Sequence, residues 1–149
     1  MLVQRVEDSA GNVVTQYQPQ RVRQVVSETA AAQMVKALKT VVAADGTAPK
    51  AALTNYVVAG KTGTAQKPGP GGYQPGKYIS SFIGFFPADN PEVCISIVLD
   101  EPKNGYYGGV VAAPVFRDVA EAVAAYLHIP PDLLPANPEV ADARRTAAA

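Results

Sequence analysis

The sequence contains no tryptophan, one cysteine and one histidine in 149 residues. A single cysteine, Cys94, excludes an intrachain disulfide and leaves the redox compartment open. It lies in the run Val93-Cys94-Ile95-Ser96-Ile97-Val98-Leu99, where a lone thiol is expected as a small buried hydrophobe. The one histidine, His128, has no apparent triad partner and sits just before Pro130-Pro131, which suits a helix end near the negative dipole. Neither a metal nor a cofactor is expected. Thirteen basic residues cancel thirteen acidic ones, so the basic stripe that nucleic acid demands is missing and nucleic acid is not an expected partner. No apolar run approaches the roughly 20 residues that span a bilayer. The first residues, Met1 to Asp8, also lack the apolar region of a signal peptide. Read alone from Met1, the sequence would suit a cytoplasmic protein.

What is present suffices for one domain. The length falls near the usual domain size of about 100–150 residues, and 48% of residues are hydrophobic against 17% charged. Two β-prone runs, 2–6 and 13–17, flank Ser9-Ala10-Gly11-Asn12 and read as a hairpin. Ser27 can cap a helix whose stripe is Met34, Val35, Leu38, Val41 and Val42, expected as core, with Asp45-Gly46 as the stop. A β-rich run over 55–64 precedes a Pro/Gly-rich stretch, 67–76, expected as a loop. Runs 79–86 and 92–99 flank Pro87-Ala88-Asp89-Asn90-Pro91 and read as a second hairpin. A last helix is expected with Pro114 near its first turn and Val115, Val119, Ala122, Val123, Tyr126 and Leu127 on one face. The order implies an α+β fold, helices against an antiparallel sheet, with more apolar face than these few elements cover. Residues 130–149 are rich in Pro and Ala and read as a mobile tail after a folded portion of 1–129.

Gly60-Lys61-Thr62 imitates the end of a phosphate-binding loop. That motif needs a glycine at position 55, which is Asn, and a helix after the lysine, where Ala65-Gln66-Lys67-Pro68-Gly69-Pro70 cannot supply one. Lys61-Thr62-Gly63 instead matches the third signature of the serine acyl-transferases that include β-lactamases and penicillin-binding proteins. The chemistry suits these residue types. A strand beside an attacked carbonyl can offer backbone amides to an oxyanion. Gly63 lets a substrate backbone approach, Lys61 adds positive charge, and Thr62 and Thr64 present hydroxyls on one side of a strand. A bare Lys-Thr-Gly can equally be an exposed strand end.

The surroundings narrow the reading. The segment from Val58 to Gln66, the run Ser81-Phe82-Ile83-Gly84-Phe85-Phe86-Pro87-Ala88-Asp89-Asn90-Pro91, Asp100-Glu101-Pro102, and Tyr106-Tyr107-Gly108-Gly109-Val110-Val111-Ala112-Ala113-Pro114-Val115-Phe116 together resemble the class B penicillin-binding proteins. The stretch from Asp100 to Phe116 is most similar to the cell-division type. The resemblance covers roughly residues 1–131 and implies the C-terminal part of a serine β-lactamase/transpeptidase-like fold.

It further implies a peptidoglycan D,D-transpeptidase that cross-links stem peptides through a serine acyl-enzyme and is acylated by β-lactams. In that family the domain stands outside the cytoplasmic membrane, anchored by an N-terminal helix, and works with membrane proteins of the division complex. By carry-over Lys61 is the electrostatic and proton-network residue, Thr62 and Thr64 bind the substrate carboxylate, Gly63 allows approach, and the Thr64 amide is an oxyanion donor. Tyr106, Tyr107, Gly108 and Gly109 either shape the far rim of the cleft or form a structural turn. The family's Ser-x-x-Lys and Ser-x-Asn motifs do not occur in this sequence. Thr47-Ala48-Pro49-Lys50 has the first spacing but carries threonine and an internal proline. This chain is therefore expected to be inactive alone, as a piece beginning after the nucleophile. The other reading is a non-catalytic β-lactam- or peptidoglycan-binding module of the same fold.

Overall fold

The computed structural model describes residues 3–20 and 22–133. Its contacts fall into two units, Met1–Ala31 and Ala32–Ala149. In the first, β1 (Arg5–Glu7) pairs antiparallel with β2 (Val13–Gln16), with a register shift between Val6 and Glu7. The turn is built by Asp8, whose Oδ1 accepts the amides of Ala10 and Asn12 at 2.9 Å each, while Gly11 takes φ 85°. That left-handed backbone is open to glycine at little cost.

The first helix, α1 (Glu28–Thr40), starts where expected, and Ser27 Oγ accepts the Ala30 amide at 3.2 Å. Its stripe meets the core only at its end, where Val42 is buried and Val41 packs on it; Val35 and Leu38 are half-buried. No residue of α1 is buried, and Met34 is 59% exposed. The reason is a missing neighbour: no strand or other helix among the described residues packs on α1. Only after the helix ends does the chain turn inward, with Val42 buried.

The second unit holds a three-stranded antiparallel meander, β3 (Ala59–Gly69), β4 (Gly72–Phe86) and β5 (Val93–Asp100), in that order. The Pro/Gly stretch expected as a loop lies mostly within it. After a bulge between Gln66 and Pro68, Pro68 pairs with Tyr73 and Gly69 with Gly72. Proline is tolerated because β3 is an edge strand, where a missing amide need not break a ladder. β5 alternates strictly, with Val93, Ile95, Ile97 and Leu99 half-buried and the residues between them exposed. Cys94 falls on the outer side and is exposed, which corrects its placement in the core; period-two geometry decided against local hydrophobicity.

The last helix, α2 (Gly108–Leu127), covers one face of the meander, and Pro114 lies inside it, in its second turn. Its buried face is Ala112, Ala113, Phe116, Ala120 and Ala124, whereas Val115, Val119, Tyr126 and Leu127 are exposed at 39%, 38%, 82% and 53%. Small side chains let the helix approach closely enough for Phe116 to meet Phe82 edge-on, centroids 4.8 Å apart. The core is this contact plus Phe86, Val42, Ala48, Ala51, Leu53, Val58 and Ile129. His128 ends the helix as expected, at φ 55°, its amide donating to Ala124 and Ala125 carbonyls. Beyond it the chain is tied back. Tyr56 Oη donates to the Ile129 carbonyl at 2.7 Å, Val57 N to Asp132 Oδ1 at 2.8 Å, and Leu133 N to the Asn55 carbonyl at 3.0 Å. The first residues after 129 thus lie against the 55–57 segment. The rest of the tail, from 134 on, is outside the described residues.

Candidate functional site

Lys61, Thr62, Gly63 and Thr64 occupy consecutive positions of β3, opposite Ile83, Phe82, Ser81 and Ser80 of β4. No helix follows Lys61, which removes the phosphate-loop geometry. Among the described residues β3 has no partner strand on its other side. Half of its backbone donors and acceptors therefore face outward, available to an extended ligand.

Alternation sorts the four side chains as expected. Thr62 and Thr64 share the side that meets the start of α2: Thr64 Oγ1 accepts the Gly108 amide at 3.2 Å, and Thr62 Oγ1 lies 3.4 Å from Thr47 Oγ1. Lys61 is exposed, and its ammonium donates to the Thr62 carbonyl at 2.8 Å. Gly63 has a structural reason of its own. A Cβ there would overlap the Ser81 hydroxyl.

Two glycines set the distance between helix and strand. A Cβ at Gly108 would collide with the carbonyl oxygens of Ser81 and Gly63, and one at Gly109 with the Thr47 carbonyl oxygen. Only bare backbone lets the α2 N-terminus reach Thr64. Thr47, noted in sequence only for its failed Ser-x-x-Lys spacing, thereby touches both Thr62 and the helix start.

An aromatic cluster lies beside this wall. Tyr78 and Tyr106 stack with centroids 4.4 Å apart and planes at 15°, and Tyr107 leans on Tyr106 at 4.4 Å. Tyr106 Oη donates to Tyr107 Oη at 3.2 Å. That bond, then the charge of Tyr107, pushes the Tyr106 phenol above its ordinary 10.0. Ser80, fully buried, donates its hydroxyl to the Tyr106 carbonyl and fixes the cluster to β4. The sequence singled out Tyr106 and Tyr107 but missed Tyr78 and Ser80. The available signal was position: Ser80 is paired with Thr64 across the ladder. Among the described residues no group of three His, Cys, Asp or Glu side chains has metal-binding geometry.

Residues 1–121 match the family model described as the penicillin binding protein transpeptidase domain. The chain is 39% identical over 123 residues to the probable peptidoglycan D,D-transpeptidase PbpC of Pseudomonas aeruginosa, covering 82% of this chain and 22% of that protein. It is 39% identical over 111 residues to the peptidoglycan D,D-transpeptidase FtsI of Buchnera aphidicola, covering 74% of this chain and 19% of the relative. Among solved structures it superposes on penicillin binding protein 3 of Mycobacterium tuberculosis complexed with ampicillin. The TM-score is 0.73 and the identity 31%, over 91% of this chain and 32% of that one. The chain thus spans about a fifth of the length of these two curated relatives and about a third of that solved chain.

Proposed function

This chain belongs to the penicillin-binding protein transpeptidase family, in its class B branch, and on that premise we propose that it forms the strand-side wall of a peptidoglycan D,D-transpeptidase active site. A stem peptide lies along the outer edge of β3, and its backbone pairs there as an added strand. Lys61 supplies positive charge to the carboxylate and to the proton network around the attacked carbonyl, and Thr62 and Thr64 donate hydroxyl hydrogens to that carboxylate. The Thr64 amide stabilises the oxyanion together with the amide of a serine nucleophile from an upstream segment. The serine forms an acyl-enzyme with release of D-alanine, and an amine of a neighbouring stem then takes the acyl group. β-Lactams enter by the same first step.

The observation that carries this reading is the outer edge of β3 at Lys61–Thr64, unpaired among the described residues, with two threonine hydroxyls on one side. Thr64 Oγ1 already accepts from Gly108, so its own hydrogen is free to donate. Ligand-bound relatives lend support, since one such protein is complexed with ampicillin. By the same resemblance the whole protein acts in septal division, with membrane proteins of the division complex as partners and its site outside the membrane; similarity to relatives of the FtsI type supports this reading. The span 1–129 is the C-terminal portion of that domain, with 130–149 as its tail. Among the described residues no helix is long and apolar enough to cross a membrane.

Fluorescent penicillin tests the reading. A protein joining residues 1–149 to an upstream half that carries the serine should take covalent label, whereas the 149-residue chain should take none. A serine adduct on the short chain, or no label on the joined protein, would contradict it.

A further inference from the structure

The aromatic cluster hangs on a loop, 101–107, that is irregular in structure yet held at both ends. Its far end is fixed by Ser80 and the Tyr78 ring. Its near end is fixed from an unexpected place. Lys67, on β3 beyond the Lys-Thr-Gly-Thr segment, reaches past β4 to the end of β5. Its ammonium donates to Asp100 Oδ1 at 2.8 Å, Asp100 Oδ2 at 3.1 Å and Glu101 Oε1 at 2.8 Å. Lys77 of β4 adds a longer contact to Glu101 at 3.7 Å.

Glu101 is also where the backbone is forced. Its φ is 49°, a left-handed conformation that costs a residue with a side chain, and its amide donates to the Tyr78 carbonyl at 2.9 Å. The turn that launches the loop is therefore held by the backbone of the residue that stacks on Tyr106, and by the ammonium of Lys67. Glu101, Tyr78 and Tyr106 also line one depression of about 320 Å³ with Gly76, Pro102 and Lys103. A lone exposed ion pair contributes little. Here one ammonium saturates its three donors on two carboxylates at a strained turn, so geometry rather than net attraction is what the cluster supplies.

We propose that Lys67 is a positioning residue: by clasping Asp100 and Glu101 across the sheet it sets the Glu101 turn and so places the Tyr106–Tyr107 rim beside Thr64. The inference rests on the active-site reading above for its consequence, but its structural content stands on this chain alone. Lys67 itself touches no substrate. It makes the position of the rim depend on a charge on the strand that carries Lys61–Thr64.

The test is read on the 149-residue chain by NMR of the tyrosine rings. Lys67→Met is expected to abolish the mutual ring-current shifts of Tyr78 and Tyr106 and to move the amides of 101–107, with the Ile83 and Val98 methyls unchanged. Lys67→Arg, which keeps the ion pairs, is expected to retain the shifts. A folded Lys67→Met chain whose tyrosine resonances stay in place overturns the proposal. If Lys67→Met fails to fold, the double variant Asp100→Ala, Glu101→Ala, at two exposed positions, decides, because it leaves the Lys67 ammonium no carboxylate to hold: persistent ring shifts overturn the clasp, and their loss supports it. In the joined, serine-containing protein, Lys67→Met is expected to weaken penicillin capture about tenfold before acylation with the limiting rate unchanged. Rings that move without any change in capture leave the clasp standing and remove the rim from the active-site reading.

Discussion

At the scale of single residues, the site depends on hydroxyls and bare backbone more than on charge. Ser80 is fully buried and bonded to the Tyr106 carbonyl. Ser80→Ala leaves that carbonyl without its partner and should cost about 1–3 kcal/mol in urea unfolding, with the Tyr106 resonances shifted as well. Gly108→Ala drives a methyl into two carbonyl oxygens that belong to strands on which the helix must sit. A loss of about 1–3 kcal/mol is expected from such overpacking, with the helix start displaced from Thr64. Asp8 offers a pH test in the hairpin. The Asn12 side-chain hydrogen bond, first among its contacts, holds its carboxyl below the ordinary 3.8. A depressed acid stabilises above its unfolded value and loses that contribution as pH falls through the folded one. The Ala10 and Asn12 amide resonances should therefore be constant above pH 4 and drift toward coil values below it; drift beginning near neutrality would contradict the assignment.

At the scale of elements, α2 teaches the most. Its sequence offers two faces of helical period, one bearing Val115, Val119, Tyr126 and Leu127, the other mostly alanine with Phe116. Hydrophobic period alone marks the first, whereas close packing on the meander buries the second, because alanines bring the helix near enough for Phe116 to reach Phe82. Phe116→Ala should then cost about 3–5 kcal/mol in denaturant unfolding, whereas Val119→Thr on the half-open face should stay within about 0.5 kcal/mol. Equal costs would reverse the assignment of faces. Strand order and the β4–β5 hairpin were legible because Ile79–Phe86 and Glu92–Leu99 carry β-prone runs around a proline-bounded turn. The continuation of β3 through Pro68 was not, because composition hides that an edge strand tolerates proline. The Lys67 clasp was hidden for the same reason, as its lysine lies in that stretch.

The clasp also has a pH window. Lys67 is held above its ordinary 10.5 chiefly by the bond to Asp100 and next by that to Glu101, while Glu101 is held below 4.5 chiefly by the bond from Lys67. The raised base stabilises below its unfolded value and the depressed acid above its own. With Lys77 and Asp100 as the other charged groups facing them, the rim resonances should be flat between about pH 5 and pH 10 and change outside those limits.

At the scale of the whole molecule, the described residues carry more apolar surface than they cover. Met34 on α1 is 59% exposed, and Ile83 and Val98 on the open side of the sheet are 49% and 62% exposed. Among the described residues nothing covers these positions, so they are candidate contact surface, in a chain that spans about a fifth of its curated relatives. The fold class and the Lys61–Thr64 wall were readable in the sequence because each of the four residue types has a chemical reason on one strand. The rim's support was not, since Tyr78, Ser80 and Lys67 meet Tyr106 and Glu101 only through strand pairing.

The central claim is that the free edge of β3 at Lys61–Thr64 holds the acyl donor. Its most direct test is the second-order rate of penicillin acylation in the joined, serine-containing protein, compared with Lys61→Ala and Thr64→Val. A fall of about a hundredfold or more for Lys61→Ala, with a smaller fall for Thr64→Val in a folded protein, is the predicted result. Acylation at the unmodified rate in both variants would contradict the account and leave the tetrapeptide an ordinary strand end.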